Sequence, residues 1–546
     1  MRLPYEVDGP VTQSMITSDG VRLDADVYRP RGEDDFPVLL MRQPYGRKIA
    51  ATVVYAHPSW YAAHGYIVVI QDVRGRGTSE GTYRLFVDDV RDGGETVAWA
   101  AGLPGSTGKV GMYGFSYQGV TQLLTLASGA PALATICPSM CGYDIYGDWA
   151  YEGGAFCFSG GLGWGLQMAA EQARIAGDEK AYLALLSASR NPPLNEARPY
   201  MPKVAEEFGG YAHYPDWVAH PTRDEYWQGL APRDALADKP INIPMLHIGG
   251  WYDGFLMGTL GFWKEATRRT STLQKLVIGP WTHIPWGRAI GGVDMGASAV
   301  STIDERQIEW FDHILKGAAA PARPDVELFD LVAQKWQGFG AWPEAASSRF
   351  LASKGLSMTT ASGGLGVEKM NDAVPDRIVH DPWRPAPSLG GHNAYPGGMQ
   401  NRASLDDRTD VTTYTSTPLE APLALAGEVN VSLSVSADQP SYDISAILSR
   451  VTPGGQVFNL TQGHARVEGA SGGLVKVAMR ATCATLQPGD ALRLSLAAAN
   501  YPAFAVNPGT GDAPLDTRLI DCRVTTLTVV SGGESGSFIS LPILPG

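Results

Sequence analysis

One stretch constrains this chain more than any other: Gly111-Met112-Tyr113-Gly114-Phe115-Ser116-Tyr117-Gln118-Gly119. Ahead of it, Thr107 to Tyr113 follows an apolar strand pattern. Behind it, Val120, Leu123, Leu124 and Ala127 recur at helical spacing and mark one face of a helix. A serine held between strand and helix by small residues reads as a nucleophile elbow, with the hydroxyl lifted clear of a sheet and free amides at the helix start. The pattern departs from G-x-S-x-G: Gly114 stands two before the serine, but Gln118 stands two after it and Gly119 three after. A glycine-serine turn without chemistry fits the stretch equally well, so groups elsewhere in the chain must decide.

The surrounding sequence predicts a doubly wound α/β sheet. Val11–Thr17 and Val21–Tyr28 flank Asp19-Gly20 as a hairpin. Pro37–Met41 and Tyr66–Ile70 are short runs apolar on both faces, as central parallel strands require, and Asp88 to Ala101 reads as a helix between strands. From 143 to 238 strand runs disappear, aromatics become dense, and helical patterns appear near Leu166–Ile175 and Ala181–Ser189. The sheet resumes with Ile243–Ile248 and Lys275–Ile278. Thr302-Ile303-Asp304-Glu305 reads as a capping box that opens a helix ending at Gly317. Beyond Arg349, short β patterns separated by turns (Val411–Thr415, Val429–Val435, Tyr442–Arg450, Val475–Arg480, Ala491–Ala497, Arg523–Val530) predict a β-sandwich or jelly roll. The expected architecture is a doubly wound α/β core (1–142 and 239–348), an inserted helical cap (143–238) and a β-sandwich or jelly roll (349–546).

Composition removes several classes of function. A net charge of −13 argues against nucleic acid or an anionic membrane as partner. The five cysteines are scattered without a C-x-x-C and read as small core residues, not a disulfide framework or zinc site. The first ten residues lack the pattern of a secretion leader, and no 18-residue apolar span occurs, which leads to the expectation of a cytoplasmic protein.

A serine hydroxyl at its free pKa needs a base, and the base needs an orienting carboxylate. In an open α/β sheet such groups collect beyond the carboxyl ends of strands. Ser116, Asp253 and His283 all follow strand runs, in the chain order Ser, Asp, His that α/β-hydrolases use. His247 competes as base but lies inside an apolar run; His313 falls on the exposed side of its helix; Asp72, ahead of a Gly/Arg loop, is expected to shape that loop through local hydrogen bonds.

Taken together, Pro44-Tyr45, Gln71-Asp72-Val73-Arg74-Gly75, the Ser116 stretch, Gly250-Trp251-Tyr252-Asp253-Gly254, Gly279-Pro280-Trp281-Thr282-His283, Trp310-Phe311-Asp312, Asp381-Pro382, Pro387-Ser388-Leu389-Gly390-Gly391 and Tyr414-Thr415-Ser416 resemble the cocaine esterase-like CocE/NonD hydrolases. These are relatives of the Xaa-Pro dipeptidyl-peptidases and the α-amino acid ester hydrolases. The resemblance spans nearly the whole chain and accounts for the serine motif, because the family uses Ser-Tyr-x-Gly. It implies that the core is an α/β-hydrolase and the C-terminal domain a jelly roll. It implies Ser116 as nucleophile, His283 as base, Asp253 as orienter, and an oxyanion hole from the Tyr45 hydroxyl and the Tyr117 backbone N–H. It implies an acyl pocket walled by Trp149, Trp164 and Phe255, although each tryptophan also suits a plain core position. Where the amino acid ester hydrolases carry extra carboxylates after the triad aspartate, Gly254, Phe255 and Leu256 stand here, and Asp148 and Glu152 substitute for them only in part.

The expectation is therefore a serine esterase that cleaves carboxylic esters with an apolar or aromatic acyl group through an acyl-enzyme, with no cofactor and no metal. Its partner is a small-molecule ester or amide, and homodimerisation stays open. An amide-directed acylase or aminopeptidase would use the same triad; a ligand-binding jelly roll beside an inactive core is the reading from another class.

Overall fold

The computed structural model describes residues 4–359, 362–469 and 473–545. Among these, a ten-stranded sheet starts with the antiparallel hairpin Val7–Ile16 and Arg22–Pro30. It continues through Ile67–Asp72, Phe36–Gln43, Ser106–Phe115, Leu133–Ser139, Met245–Tyr252, Gln274–Thr282, Val326–Asp330 and Lys335–Phe339. From Ile67–Asp72 to Val326–Asp330 neighbours run parallel. Their side chains alternate between two cores. Val38, Leu40, Val110 and Met112 pack with Val97, Val120 and Leu123 of the helices Asp89–Ala101 and Tyr117–Ala127. Leu39, Met41, Val68 and Tyr113 pack with Trp310 and Phe311 of the helix Ile303–Lys316 on the other face. Helices on both faces are why these strands are apolar throughout.

After Leu133–Ser139 the chain leaves the sheet and returns only at Met245. The interval is mostly helical, with Phe158–Ala176 and Glu179–Arg190 the long pieces. It also holds a hairpin of two residues per strand, Tyr151–Glu152 with Ala155–Phe156, too short to leave a period in the sequence. The C-terminal region is a mainly antiparallel β domain of the jelly-roll class. An eleven-stranded sheet includes all six expected strands, and it adds Val457–Glu468 as its longest member. That strand escaped the sequence reading because Asn459, Gln462 and His464 are buried polar residues that break the apolar alternation.

The C-terminal domain touches both other parts. Ala503 and Pro502 carbonyls accept from Phe158 and Ser159 N–H at 2.9 and 3.0 Å, and the Tyr252 hydroxyl donates to the Asn459 carbonyl at 2.8 Å. One local expectation fails. Thr302 makes no side-chain cap; its hydroxyl accepts from Arg306, while Asp304 is taken by Ala56 N–H and the Tyr61 hydroxyl. The hydroxyl that the box would use is engaged by the Arg306 side chain of the same helix. Gly317 does close the helix, in the left-handed conformation. Among the described residues no helix is long and apolar enough to cross a membrane.

Candidate active site

Ser116 sits at the junction of the strand Ser106–Phe115 and the helix Tyr117–Ala127, with φ +61° and ψ −126°. That conformation strains a non-glycine residue and is held by the surroundings: Ser116 N–H donates to the Ser139 and Met140 carbonyls. The glycines of the motif are steric requirements. A Cβ on Gly114 would lie 2.5 Å from Gln118 Cβ, and one on Gly119 would lie 2.6 Å from Cys141 Cβ. The second glycine therefore lets the helix pack against the chain leaving Leu133–Ser139. Gln118 is the residue at the shifted position, and its Oε1 accepts from Phe115 N–H at 3.2 Å.

Asp253 follows Met245–Tyr252, and His283 follows Gln274–Thr282 on the adjacent strand. His283 Nδ1 lies 2.7 Å from Asp253 Oδ1. Asp253 is fully buried, whereas the His283 ring keeps about a third of its surface open. Phe255 N–H donates to the second Asp253 oxygen, which fixes the carboxylate plane. Phe115 and Phe255 rings flank the imidazole at 5.3 and 5.2 Å.

Ser116, Tyr117, Trp149, Trp164, Phe255 and His283 line one cavity of about 630 Å³. Tyr45 adjoins it: its hydroxyl accepts from Trp164 Nε1 at 3.2 Å. Burial raises the Tyr45 pKa, against the opposing pull of the Trp164 and Ser116 side chains and of the Arg76 charge, so the phenol keeps its proton. Tyr117 N–H is one of the first amides of its helix and has no intrahelical acceptor. Trp149 and Trp164 meet edge to face at 5.2 Å, and both pack on the buried Trp217, so the pair is at once pocket wall and cap core.

The competing residues fall elsewhere. His247 is buried and hydrogen-bonded to Gln274, and burial pulls its pKa down to about 4. His313 Nδ1 bonds the Ala318 carbonyl. Asp72 accepts from the backbone of Arg47 and Thr78 and shapes its loop, as expected. Asp148 accepts from the Tyr143 and Asp144 amides, and Glu152 is paired with His392 and Arg480, so neither is free to hold a substrate amine. All five cysteines are buried and unpaired.

Three contributors escaped the sequence reading. Arg76 is buried, donates both Nη groups to the Met168 carbonyl of the cap, and lies over the Tyr83 ring at 3.9 Å. His392 and Asn393, from the C-terminal domain, line the cavity. Only the Gly/Arg loop after Asp72 hinted at the first; nothing local hinted at the other two.

The sequence pattern of the X-Pro dipeptidyl-peptidase (S15) family matches residues 19–285, and that of its C-terminal non-catalytic domain matches residues 319–539. A cocaine esterase from Rhodococcus sp. is 30% identical over 96% of this chain and 97% of that protein. In fold, an aminopeptidase from a marine sediment Thaumarchaeota archaeon superposes with a TM-score of 0.83, at 23% identity over 100% of this chain and 97% of that one. An α-amino acid ester hydrolase superposes with a TM-score of 0.79, at 22% identity over 98% and 96% of the two chains. With a relative that similar over its full length, and both family regions in their usual succession, the chain belongs to the cocaine esterase-like CocE/NonD hydrolases of the S15 family.

Proposed function

We propose that the chain is a serine ester hydrolase acting through Ser116, His283 and Asp253, with core 1–142 and 239–348, cap 143–238 and jelly roll 349–546. The observation that carries this is the Asp253–His283 pair at 2.7 Å, with His283 lining the same cavity as the strained Ser116 of the strand-to-helix turn. Ser116 Oγ attacks the ester carbonyl and gives its proton to His283 Nε2, while Asp253 holds Nδ1–H and fixes the tautomer. The carbonyl oxygen gains negative charge and accepts from the Tyr45 O–H and the Tyr117 N–H. Collapse breaks the C–O bond, and the imidazolium returns the proton to the leaving alcohol. Water, deprotonated by His283, then attacks the acyl-enzyme and frees Ser116.

Trp149, Trp164, Phe255, Val120 and Ile145 make much of the cavity wall apolar, which suits an apolar or aromatic acyl group. The cocaine esterase relative is named for an ester substrate, which supports an ester over an amide. Fluorophosphonate labelling should modify wild type and spare Ser116→Ala, and p-nitrophenyl esters should outpace the matching anilides. An unlabelled wild type would mean an inactive core; faster anilides would move the reading to the peptidases.

A further inference from the structure

Most of the cavity is apolar, but one wall is not, and the hydrolytic chemistry does not use it. His392 and Asn393 lie on the loop after the strand Val374–His380 of the C-terminal domain and face the cavity that holds Ser116. The His392 side chain is 2% exposed, and its Nε2 is 2.7 Å from Glu152 Oε2. The same oxygen takes Arg480 Nη2 at 2.8 Å. Burial alone would raise the Glu152 pKa, but the hydrogen bonds from His392 and Arg480 and the Arg480 charge hold it below the ordinary carboxylate range, so the carboxylate only accepts. Nε2 is then the donor of His392. Burial and the Arg480 charge keep the imidazole pKa below its ordinary value, so the ring is neutral and Nδ1 is left as an acceptor. Among the described residues Nδ1 has no hydrogen-bond partner.

Asn393 is oriented by the same logic. Its Nδ2 donates to Cys157 Sγ at 3.4 Å. Its Oδ1 lies beside Gly254, close enough that a Cβ there would come within 3.3 Å of it, and Gly254 is itself part of the cavity wall. Two acceptors thus belong to adjacent residues that line one largely apolar cavity. Their support is electrically balanced, because the Glu152 charge is offset by Arg480 and His392 is neutral. A substrate ammonium gains no net attraction there, whereas a neutral O–H or N–H gains a hydrogen bond.

We infer that His392 and Asn393 form an acceptor subsite for a neutral hydroxyl or amide N–H carried by the ester substrate. The inference rests on the Ser116 reading and adds a polar selectivity to its apolar pocket. An ester lacking the donor leaves both acceptors buried without partners, which costs on the order of 10- to 100-fold in kcat/KM.

The test is a set of p-nitrophenyl arylacetates bearing a ring hydroxyl or acetamide, each matched to its O-methyl or N-methyl counterpart and to an aminomethyl analogue. In wild type at least one donor ester should exceed its methylated partner by about 10-fold or more, with no such gain for the ammonium. The ratio within each pair should fall toward one in His392→Phe and in Asn393→Leu, whatever the overall rate of the variant. Fluorophosphonate labelling shows that each variant is folded with a reactive serine; should a variant fail to fold, the wild-type ratios still decide. Ratios near one throughout the wild-type panel, or a preference that survives both substitutions, overturn the subsite. Absence of turnover and labelling with every ester would instead count against the Ser116 reading.

Discussion

The floor and the roof of the cavity are built in different ways. The floor consists of Ser116, Asp253 and His283, each one residue past the end of a parallel strand, so sheet register sets their spacing. The roof draws Trp149 and Trp164 from the cap and His392 and Asn393 from the C-terminal domain, and only contacts between separate parts of the chain bring these together. In the proposed reading, chemistry thus rests on the sheet, and selectivity on the layer whose geometry depends on how the parts pack. Substitutions in the floor should act on kcat whatever the ester; substitutions in the roof should change which ester is preferred.

The largest effect is expected at the floor. Ser116→Ala should lower ester kcat by ~10⁴-fold or more, and Asp253→Asn by a similar order through the wrong imidazole tautomer. Burst and steady-state assays on purified protein check both, and residual turnover within ten-fold of wild type would break the comparison. Next comes Tyr45→Phe, which removes one oxyanion donor and should cost ~10²–10³-fold in kcat with little change in KM. Tyr45 also joins the two layers, because Trp164 of the cap donates to its hydroxyl. Trp164→Phe keeps an aromatic ring but loses that hydrogen bond and part of the indole's packing on Trp149 and Trp217, so a smaller fall in kcat, about ten-fold or less, should accompany a change in KM. A fall as deep as that of Tyr45→Phe would mean that the cap positions the oxyanion hole itself.

A third prediction concerns stability. Gly119→Val places a Cβ 2.6 Å from Cys141 Cβ and 3.0 Å from the Ser139 carbonyl, and these are backbone or short side-chain atoms with little room to move. Overpacking of about 1–3 kcal/mol should appear as a lowered Tm. Lys109→Ala, near the start of the strand Ser106–Phe115 and away from the elbow, should leave Tm nearly unchanged.

The same division explains what the sequence made legible. The core strands were readable because both faces are buried, so Val38–Met41 and Ile67–Ile70 show as unbroken apolar runs. The triad was readable because each member follows such a run. Trp149, Trp164 and Phe255 came from family resemblance and do line the cavity. His392 and Asn393 had no signal, because a polar loop residue looks alike whether it faces solvent or meets Glu152 across 240 positions of chain. Thr302 misled because its hydroxyl accepts from the Arg306 side chain instead of capping an amide. Val457–Glu468 was hidden by its buried polar residues, of which Asn459 is satisfied by Gln400 N–H and the Gly398 carbonyl.

The smallest effect sharpens the contrast between two aspartates. Asp253 in the floor has an imidazole partner. Asp148 in the roof, on the turn that carries Trp149, has as hydrogen-bond partners, among the described residues, the amides of Tyr143 and Asp144. Burial raises the Asp148 pKa to about 6, more than those two amides lower it. A folded pKa above the unfolded value means that the folded state holds the extra proton between about 4 and about 6. Stability from this group is therefore fully present below that window and lost as pH rises through about 6. Asp148→Asn keeps an oxygen for the two amides and carries no charge at any pH. The Tm of the variant minus that of wild type should grow from pH 4 to pH 8 by an amount equivalent to on the order of 1 kcal/mol. A difference that stays flat across that range would show that the roof carries no such strain, and that the contrast with the floor lies in geometry alone.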